Sequence, residues 1–562
     1  MSNLRKISLE NFRCFQNETS FKIAPITILI GPNNSGKSSF IKAIQLIDSN
    51  SNNLFEHLSL KNHYNTLGKF ASIINKSSNS NSISLSIDID LQSFSYTYSS
   101  NVVPLFYKNN ILRFILTYSS TKNDGVLESL EIKHNEKTLV EYKSIDGITY
   151  RYFVNLGEFF RNINEYIESI QDDQEKMNNI NSFSDLEFGA EKIKLVDINR
   201  LYSIIGSEEV PMSFIEDFEN MVTVYLSNRF FDISDYEYFE NVEEGILFVI
   251  INKDVAETYD QISHKVGDIF TAFPKFTQDH PEYAKLIVDF PLKTFLCEST
   301  ISHIREIKSR LISYYRNFYR YFNCMHISPE KVNKTRLFRP YQEETYLNLF
   351  LKKILNQVDE ESIEMKKFVE TWIGPKGFNI GDKFDVIEID DSVFRVEIQR
   401  GKEKINLADF GFGIKQVFTL ICYLGSNTTY RNTRHGMLFI SQLLYLIEEP
   451  ESNLHPSFQS RLADLFADGL IKFNNPTYII ETHSEYIIRR LQYLVAEKKL
   501  KPEDVVIQYF TDPYRLKKDD PQVREINILS DGRLSDDFGP GFFDEAINLK
   551  LDLLRLKNAS NN

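Results

Sequence analysis

The sequence predicts an α/β fold: a mixed sheet that carries an antiparallel β-subdomain and is split by a mainly helical insertion. Three observations predict it. The first 155 residues are dominated by period-two alternation. Three short apolar runs each open into a glycine-rich or acidic loop, as strands do where an α/β sheet binds its ligand. Between them, residues 156–322 change to helical spacing.

Taken in order, Leu4 to Phe15 and Thr19 to Ile23 alternate apolar and polar side chains, as paired strands do. Ile26 to Ile30 is apolar throughout, the pattern of a strand buried on both faces, and Phe40 to Ile44 reads as the helix that follows. Residues 84–91, 112–118 and 127–133 alternate again, predicting an antiparallel sheet between about 82 and 155. In the insertion, the run Ile301 to Phe322 places Arg305, Lys308, Arg310, Arg316 and Arg320 among Tyr314, Tyr315, Phe318, Tyr319 and Tyr321. That composition suits an amphipathic helix packing its rings inward and, as the alternative, a local nucleic-acid surface. Tyr346 to Ile373 is helix-like, and Phe384 to Ile389 and Phe394 to Ile398 read as short strands. The expected division is residues 1–155 and 323–515 for the two halves of the α/β unit, 156–322 for the insertion, and 516–562 for a short extension.

A chain of 562 residues exceeds one ordinary core, so two or three units are expected. Its 42% hydrophobic and 25% charged composition is that of a folded chain. No run has the apolar length of a membrane span and the N-terminus has no secretory pattern, so a cytoplasmic location without membrane contact is expected. The four cysteines are scattered, which supports neither a zinc knuckle nor a disulfide framework. A net charge of −14 excludes a wholly basic surface, so any nucleic-acid contact has to be a local patch.

The most specific motif is Gly31-Pro-Asn-Asn-Ser-Gly-Lys-Ser-Ser39, which has the G-x-x-x-x-G-K-[ST] spacing between a buried strand and a helix. Gly31 and Gly36 let the backbone turn, so that N–H groups along Asn33, Asn34, Ser35 and Ser39 converge on phosphate oxygens at a helix N-terminus. Lys37 neutralises those oxygens, and the Ser38 hydroxyl takes a site on Mg²⁺. Far along the chain, Leu443 to Ile447 is an apolar strand ending in Glu448 and Glu449. Glu448 is placed as a metal ligand, and Glu449 as the base that orients and deprotonates the attacking water. Glu448 is one methylene longer than the Asp usual there. A second apolar strand, Tyr478 to Ile480, leads through Glu481 and Thr482 to His483, where an imidazole can hold that water or sense a γ-phosphate. Upstream of both, Ala408 to Val417 is a glycine-rich turn, with Gly411 and Gly413, running into an apolar helix.

With Phe12-Arg13 ahead of the loop, these four blocks resemble the ABC-type ATPases of the SMC and RecF kind. Closer still is the overcoming-lysogenization-defect branch. The resemblance covers about residues 1–95 and 323–515, and Glu448 to Pro456 and Glu481 to Ser484 make it specific. It implies an ABC-type head with ATP and Mg²⁺, with Arg13 among the nucleotide contacts. Two copies would pair so that Gly411 and Gly413 of one cap the γ-phosphate bound by the other. Lys415 stands where that family has a small hydroxyl residue, and the glutamine that usually links nucleotide state to the helical arm is not evident.

The block Asp531 to Asp544 is similar to the short extension of stand-alone members resembling the PtuA-like ATPase subunits of Septu and some retron anti-phage systems. Those work with a separate HNH nuclease. No carboxylate cluster with nuclease spacing is evident after His483. The expectation is therefore a nucleotide-driven switch that controls a separate nuclease. The rivals are a RecF-like repair ATPase that grips DNA itself, a scaffold that holds ATP without turnover, a self-sufficient nuclease and a transporter ATPase.

Overall fold

The protein is described by a computed structural model. It describes residues 4–51, 54, 57–61, 67–90, 111–120, 124–144, 150–155, 198–205, 211–218, 231–232, 278–279, 281, 323–328, 346–356, 360–390, 393–426, 443–473, 476–513, 516, 520–538 and 545–559. The expected helix Ile301 to Phe322, with its basic and aromatic residues, lies outside the described residues, as does most of 156–322. The chain divides into two compact units, one of residues 1–51, 75–77 and 319–562, the other of 52–74 and 78–318.

The first unit opens with a hairpin. Strands β1 (Leu4–Glu10) and β2 (Thr19–Lys22) pair antiparallel with Ile7 opposite Phe21. The alternation that reads as strand through Phe15 stops at Glu10. Asn11 and Arg13 turn into the left-handed region (φ 55° and 53°), while Phe12 and Phe15 exchange two backbone hydrogen bonds of 2.9 Å. β3 (Ile26–Ile30) then runs buried into the glycine loop, and helix α1 spans Lys37–Ser49.

The second unit is an antiparallel meander, as its alternation predicts. Strands β5 (Ser82–Asp90), β6 (Ile111–Ser120), β7 (Gly125–His134), β8 (Lys137–Ser144) and β9 (Tyr150–Val154) pair in sequence order. Short β4 (His57–Leu58) joins β7, and β10 (Phe231–Asp232) joins β9. On β5, Leu85, Ile87 and Ile89 are buried on one face, and Ser86, Asp88 and Asp90 on the other are buried as well.

Back in the first unit, β11 (Asn323–Ile327) begins the run that completes the main sheet. The helical stretch expected over 346–373 is described as α2 (Tyr346–Asn356) and α3 (Glu360–Ile373). Strands β12 (Lys383–Asp390), β13 (Val393–Arg400) and β14 (Glu403–Asn406) form a small antiparallel sheet. After it come α4 (Phe412–Gly425), β15 (Leu443–Glu448), α5 (Pro456–Lys472), β16 (Thr477–Glu481), α6 (Glu485–Ala496), β17 (Val505–Phe510), β18 (Val523–Asn527) and α7 (Glu545–Ala559).

The main sheet has the order β11-β15-β16-β3-β17-β18, parallel throughout except for β18. Its inner strands β15, β16, β3 and β17 are mostly apolar and buried, as in a sheet with helices on both faces. Glu448 stands in register with Glu481, and Glu481 with Leu29, so the acidic, histidine and glycine loops leave the C-terminal end of the sheet together. An aromatic cluster lies beneath the glycine loop: Phe21 stacks on Phe40 at 4.0 Å and on Phe510 at 5.7 Å, with Phe15 edge-on to Phe21 at 5.4 Å. These rings, buried from water, join the hairpin, α1 and β17 into the floor of the loop.

Candidate functional site

The glycine loop is built for close approach. Gly31 has φ 147°, and a Cβ there would lie 2.2 Å from the carbonyl oxygen of Phe510. Gly36 has φ 114°, and its Cβ would meet Cys14 Sγ at 2.7 Å and the Phe15 ring at 3.0 Å. Only glycine serves both positions. Asn34 takes the left-handed conformation (φ 62°) that asparagine tolerates.

Helix α1 starts at Lys37 with Gly36 as its cap, no side-chain cap and no acid in its first turn. The first amides of a helix have no intrahelical partner, so Lys37, Ser38 and Ser39 present N–H groups where an anion is stabilised. Asn33, Asn34 and Ser38 are exposed at this opening. Ser35 is buried, and its hydroxyl has no hydrogen-bond partner among the described residues.

Lys37 is buried, and its ammonium donates to the carbonyls of Gly31 and Pro32 at 2.9 Å each. Burial lowers its pKa, opposed by the charges of Glu481 and Glu449. Arg13 lies at the edge of the loop, its carbonyl accepting from Asn75 at 2.6 Å. Burial lowers the pKa of its guanidinium, and Nε has no partner among the described residues.

The acids arrive from β15 and β16. Glu448 is the last residue of β15 and half-buried; Glu449 follows it, exposed, with φ 41°. That left-handed residue is held on both sides: its N–H donates to the Glu481 carbonyl at 2.8 Å, and its carboxylate accepts from Ser452 Oγ at 3.0 Å. Helix α4 adds a third tie, because Gln416 Nε2 donates to the carbonyls of Glu449 and Pro450 at 3.2 and 3.4 Å. Glu451 is buried and accepts the His483 N–H at 2.6 Å, which fixes the backbone that carries the imidazole. His483 is itself exposed; partial desolvation and the Lys37 charge lower its pKa, and Glu449 opposes them.

The rest of these blocks has local structural reasons. His455 caps α5 ahead of Pro456 by accepting the Ser457 N–H, and Ser484 caps α6 by accepting that of Ile487. Gly413 is needed for packing, since a Cβ would lie 2.5 Å from the Asn453 carbonyl oxygen. Gly411 caps α4 from an exposed position with nothing within 4 Å of its would-be Cβ. Lys415 donates to the Ala408 carbonyl at 3.4 Å.

Sequence reasoning missed three residues. Glu481, counted only as part of the histidine strand, puts Oε1 3.8 Å from Lys37 Nζ, while buried Oε2 has no partner among the described residues. Burial, reinforced by Glu448, Glu449 and Glu451 and opposed by Lys37, pushes its carboxyl up to about 7. Gln416 was read only as part of a helix start. His326 on β11, 122 residues before Glu448, hydrogen-bonds the Glu448 carboxylate through Nε2. The one available signal was Glu481 standing in an otherwise apolar strand.

Orphaned Ser35 Oγ, the uncapped helix start and the glycine cradle together fit a triphosphate. The oxygen donors of Ser38 and Glu448 fit Mg²⁺, a hard cation that takes one or two protein ligands and fills the rest of its shell with waters and phosphate oxygens. Among the described residues no helix is long and apolar enough to cross a membrane.

Several solved structures overlay most of the chain. An Smc head bound to the C-terminal winged-helix domain of ScpA shares 9% identity, covering 94% of this chain and 98% of that one at a TM-score of 0.37. The Smc head with an extended coiled coil from Pyrococcus furiosus shares 11%, covering 99% and 100% at 0.35. The SMC head from Thermotoga maritima shares 9%, covering 94% and 100% at 0.33. Scores this low lend no residue a role. No curated protein matches the sequence. The family model described as an AAA ATPase domain matches residues 3–488, most of the chain and every element of the site. The chain belongs to the AAA ATPase domain family.

Proposed function

We propose that the protein binds and hydrolyses ATP with Mg²⁺ and uses the cycle as a switch. The observation that carries this reading is the meeting of Lys37, Glu481, Glu449 and the His483 backbone at one end of adjacent parallel strands, over an uncapped glycine loop. The loop amides and Lys37 bind the β- and γ-phosphates; Ser38 and Glu448 hold the cation, which neutralises charge developing on the phosphates. Glu449, kept in place by Ser452 and by the Gln416 ties to its turn, orients a water and takes its proton. The exposed His483 imidazole lies beside that water.

Gly411, with open space before it, supports a head-to-head pair in which the glycine turn of one copy caps the nucleotide of the other. The resemblance of residues 531–544 to the short extension of PtuA-like subunits supports a regulatory role in an anti-phage complex, with an HNH-type nuclease as the controlled partner. The test is ATP turnover by the purified chain, with Lys37→Ala and Glu449→Gln as controls. A wild type that neither binds nor hydrolyses ATP would end the proposal, and metal-dependent nicking of DNA by the pure chain would move the nuclease onto this protein.

A further inference from the structure

We propose that His326 is the positioning residue for the metal-binding carboxylate of Glu448. The inference rests on the ATPase reading above and adds a residue to it. Glu448 carries one methylene more than aspartate, hence one more rotatable bond between the strand and the carboxylate. Left alone, that carboxylate sweeps through several rotamers, and holding it at the cation costs side-chain entropy. A shorter side chain at the same strand end has less freedom to lose.

The fold supplies a restraint. β11 pairs parallel with β15 in the register His326 to Leu446, two residues short of Glu448, so the imidazole lies alongside the end of β15. Nε2 donates to Oε1 of Glu448, since an ionised carboxylate oxygen only accepts. The two partners differ in exposure: the His326 side chain is 8% exposed and that of Glu448 28%. The brace is thus inside the protein and the braced group at its edge, with Oε2 left for the cation. Polar outer partners of this kind orient metal ligands, and their loss typically weakens metal binding 10- to 100-fold.

The position of the brace has a consequence. β11 is one of the two edge strands of the main sheet and, among the described residues, the first strand after the chain re-enters this unit at residue 319. Its Cys324 N–H donates to Asp48 Oδ1 at 2.8 Å, near the end of the helix that follows the glycine loop. The strand carrying His326 is therefore anchored to the phosphate-binding helix as well as to the metal-binding strand.

The experiment is a Mn²⁺ titration followed by electron paramagnetic resonance, on the full chain bound to a non-hydrolysable ATP analogue. Nucleotide affinity without metal and thermal unfolding are measured in parallel. His326→Ala is expected to weaken Mn²⁺ binding at least about tenfold and to raise the Mg²⁺ concentration for half-maximal turnover, with metal-free nucleotide affinity unchanged. His326→Gln, which keeps an N–H donor, is expected to recover most of the loss. In Glu448→Asp, whose carboxylate is withdrawn from the imidazole, adding His326→Ala is expected to cost far less than it does in the wild type. Wild-type Mn²⁺ affinity in His326→Ala overturns the inference. So does an equal loss in the Ala and Gln variants accompanied by loss of metal-free nucleotide binding, the result of a purely structural role. A wild type that binds no nucleotide sinks the ATPase reading and this inference together, whereas normal nucleotide binding with metal affinity blind to His326 sinks this inference alone.

Discussion

Glu481 Oε1 lies 3.8 Å from Lys37 Nζ, and both side chains are more than nine-tenths buried. This lysine feels the charges of Glu481 and Glu449, and Glu481 in turn feels those of Glu448, Glu449 and the buried Glu451. On the proposed ATPase reading, a triphosphate arriving at the loop would take Lys37 from Glu481 and add negative charge to an already acidic site, so Glu481 would compete with the phosphates for the lysine.

The competition has a measurable sign. Glu481→Gln keeps the shape and removes the rival charge, so it should bind ATP several-fold tighter than wild type in a direct binding titration. Weaker binding would show that Glu481 helps hold the nucleotide.

The same carboxyl gives a pH dependence. Its pKa rises from 4.5 to about 7 on folding, so folding favours the protonated form. The stability it contributes is complete below about 4.5 and is lost as pH rises through about 7. For the nucleotide-free, metal-free chain, the advantage of Glu481→Gln over wild type in unfolding free energy, from denaturant titrations, should grow between pH 5 and 8, to at most about 3 kcal/mol. A constant difference across that range would mean that the carboxyl titrates alike in both states.

The two glycines of the α4 turn separate packing from function. Gly413→Ala drives a methyl into the Asn453 carbonyl and Leu454, and should cost about 1–3 kcal/mol of stability. Gly411→Ala has nothing to strike and an ordinary φ of −61°, so its melting temperature should match wild type. If Gly411 caps a nucleotide held by another copy, a bulky charged replacement should abolish turnover while leaving ATP binding intact. Mixing that protein with Lys37→Ala should restore part of the activity, because mixed pairs keep one intact composite site. No recovery on mixing would argue for a site complete within one chain.

The glycine loop itself tolerates no side chain. Gly31→Ala and Gly36→Ala each combine a positive φ with a contact below 3.0 Å. Both should lose nucleotide binding, with a drop in melting temperature from the disturbed aromatic floor. Wild-type binding by either would show that the loop relaxes more easily than its packing implies.

What was legible in the sequence was local. Ile26–Ile30 and Leu443–Glu448 read as strands because five or more consecutive residues are consistent with burial, and the loops after them carry chemistry by residue type. Strands β5, β6 and β7 were legible from alternation, within an antiparallel sheet expected between about 82 and 155. Pairings between distant segments were not. That β3 lies between β16 and β17 follows from packing of a whole sheet, which no window of sequence contains. Nor does one show Glu481 against Lys37 or His326 against Glu448. The turn at Asn11 to Phe15 was hidden for another reason: its apolar residues keep the alternation of the strand before it while the backbone reverses.

If residues 31–39, Glu448, Glu449 and His483 make one ATP-hydrolysing site, the decisive variant is Glu449→Gln. Removing the base while keeping its shape should cut Mg²⁺-dependent ATP turnover by about 10²–10⁴-fold. ATP should stay bound, and analytical ultracentrifugation should show the nucleotide-bound protein as a closed pair. Hydrolysis at the wild-type rate by Glu449→Gln would contradict the account.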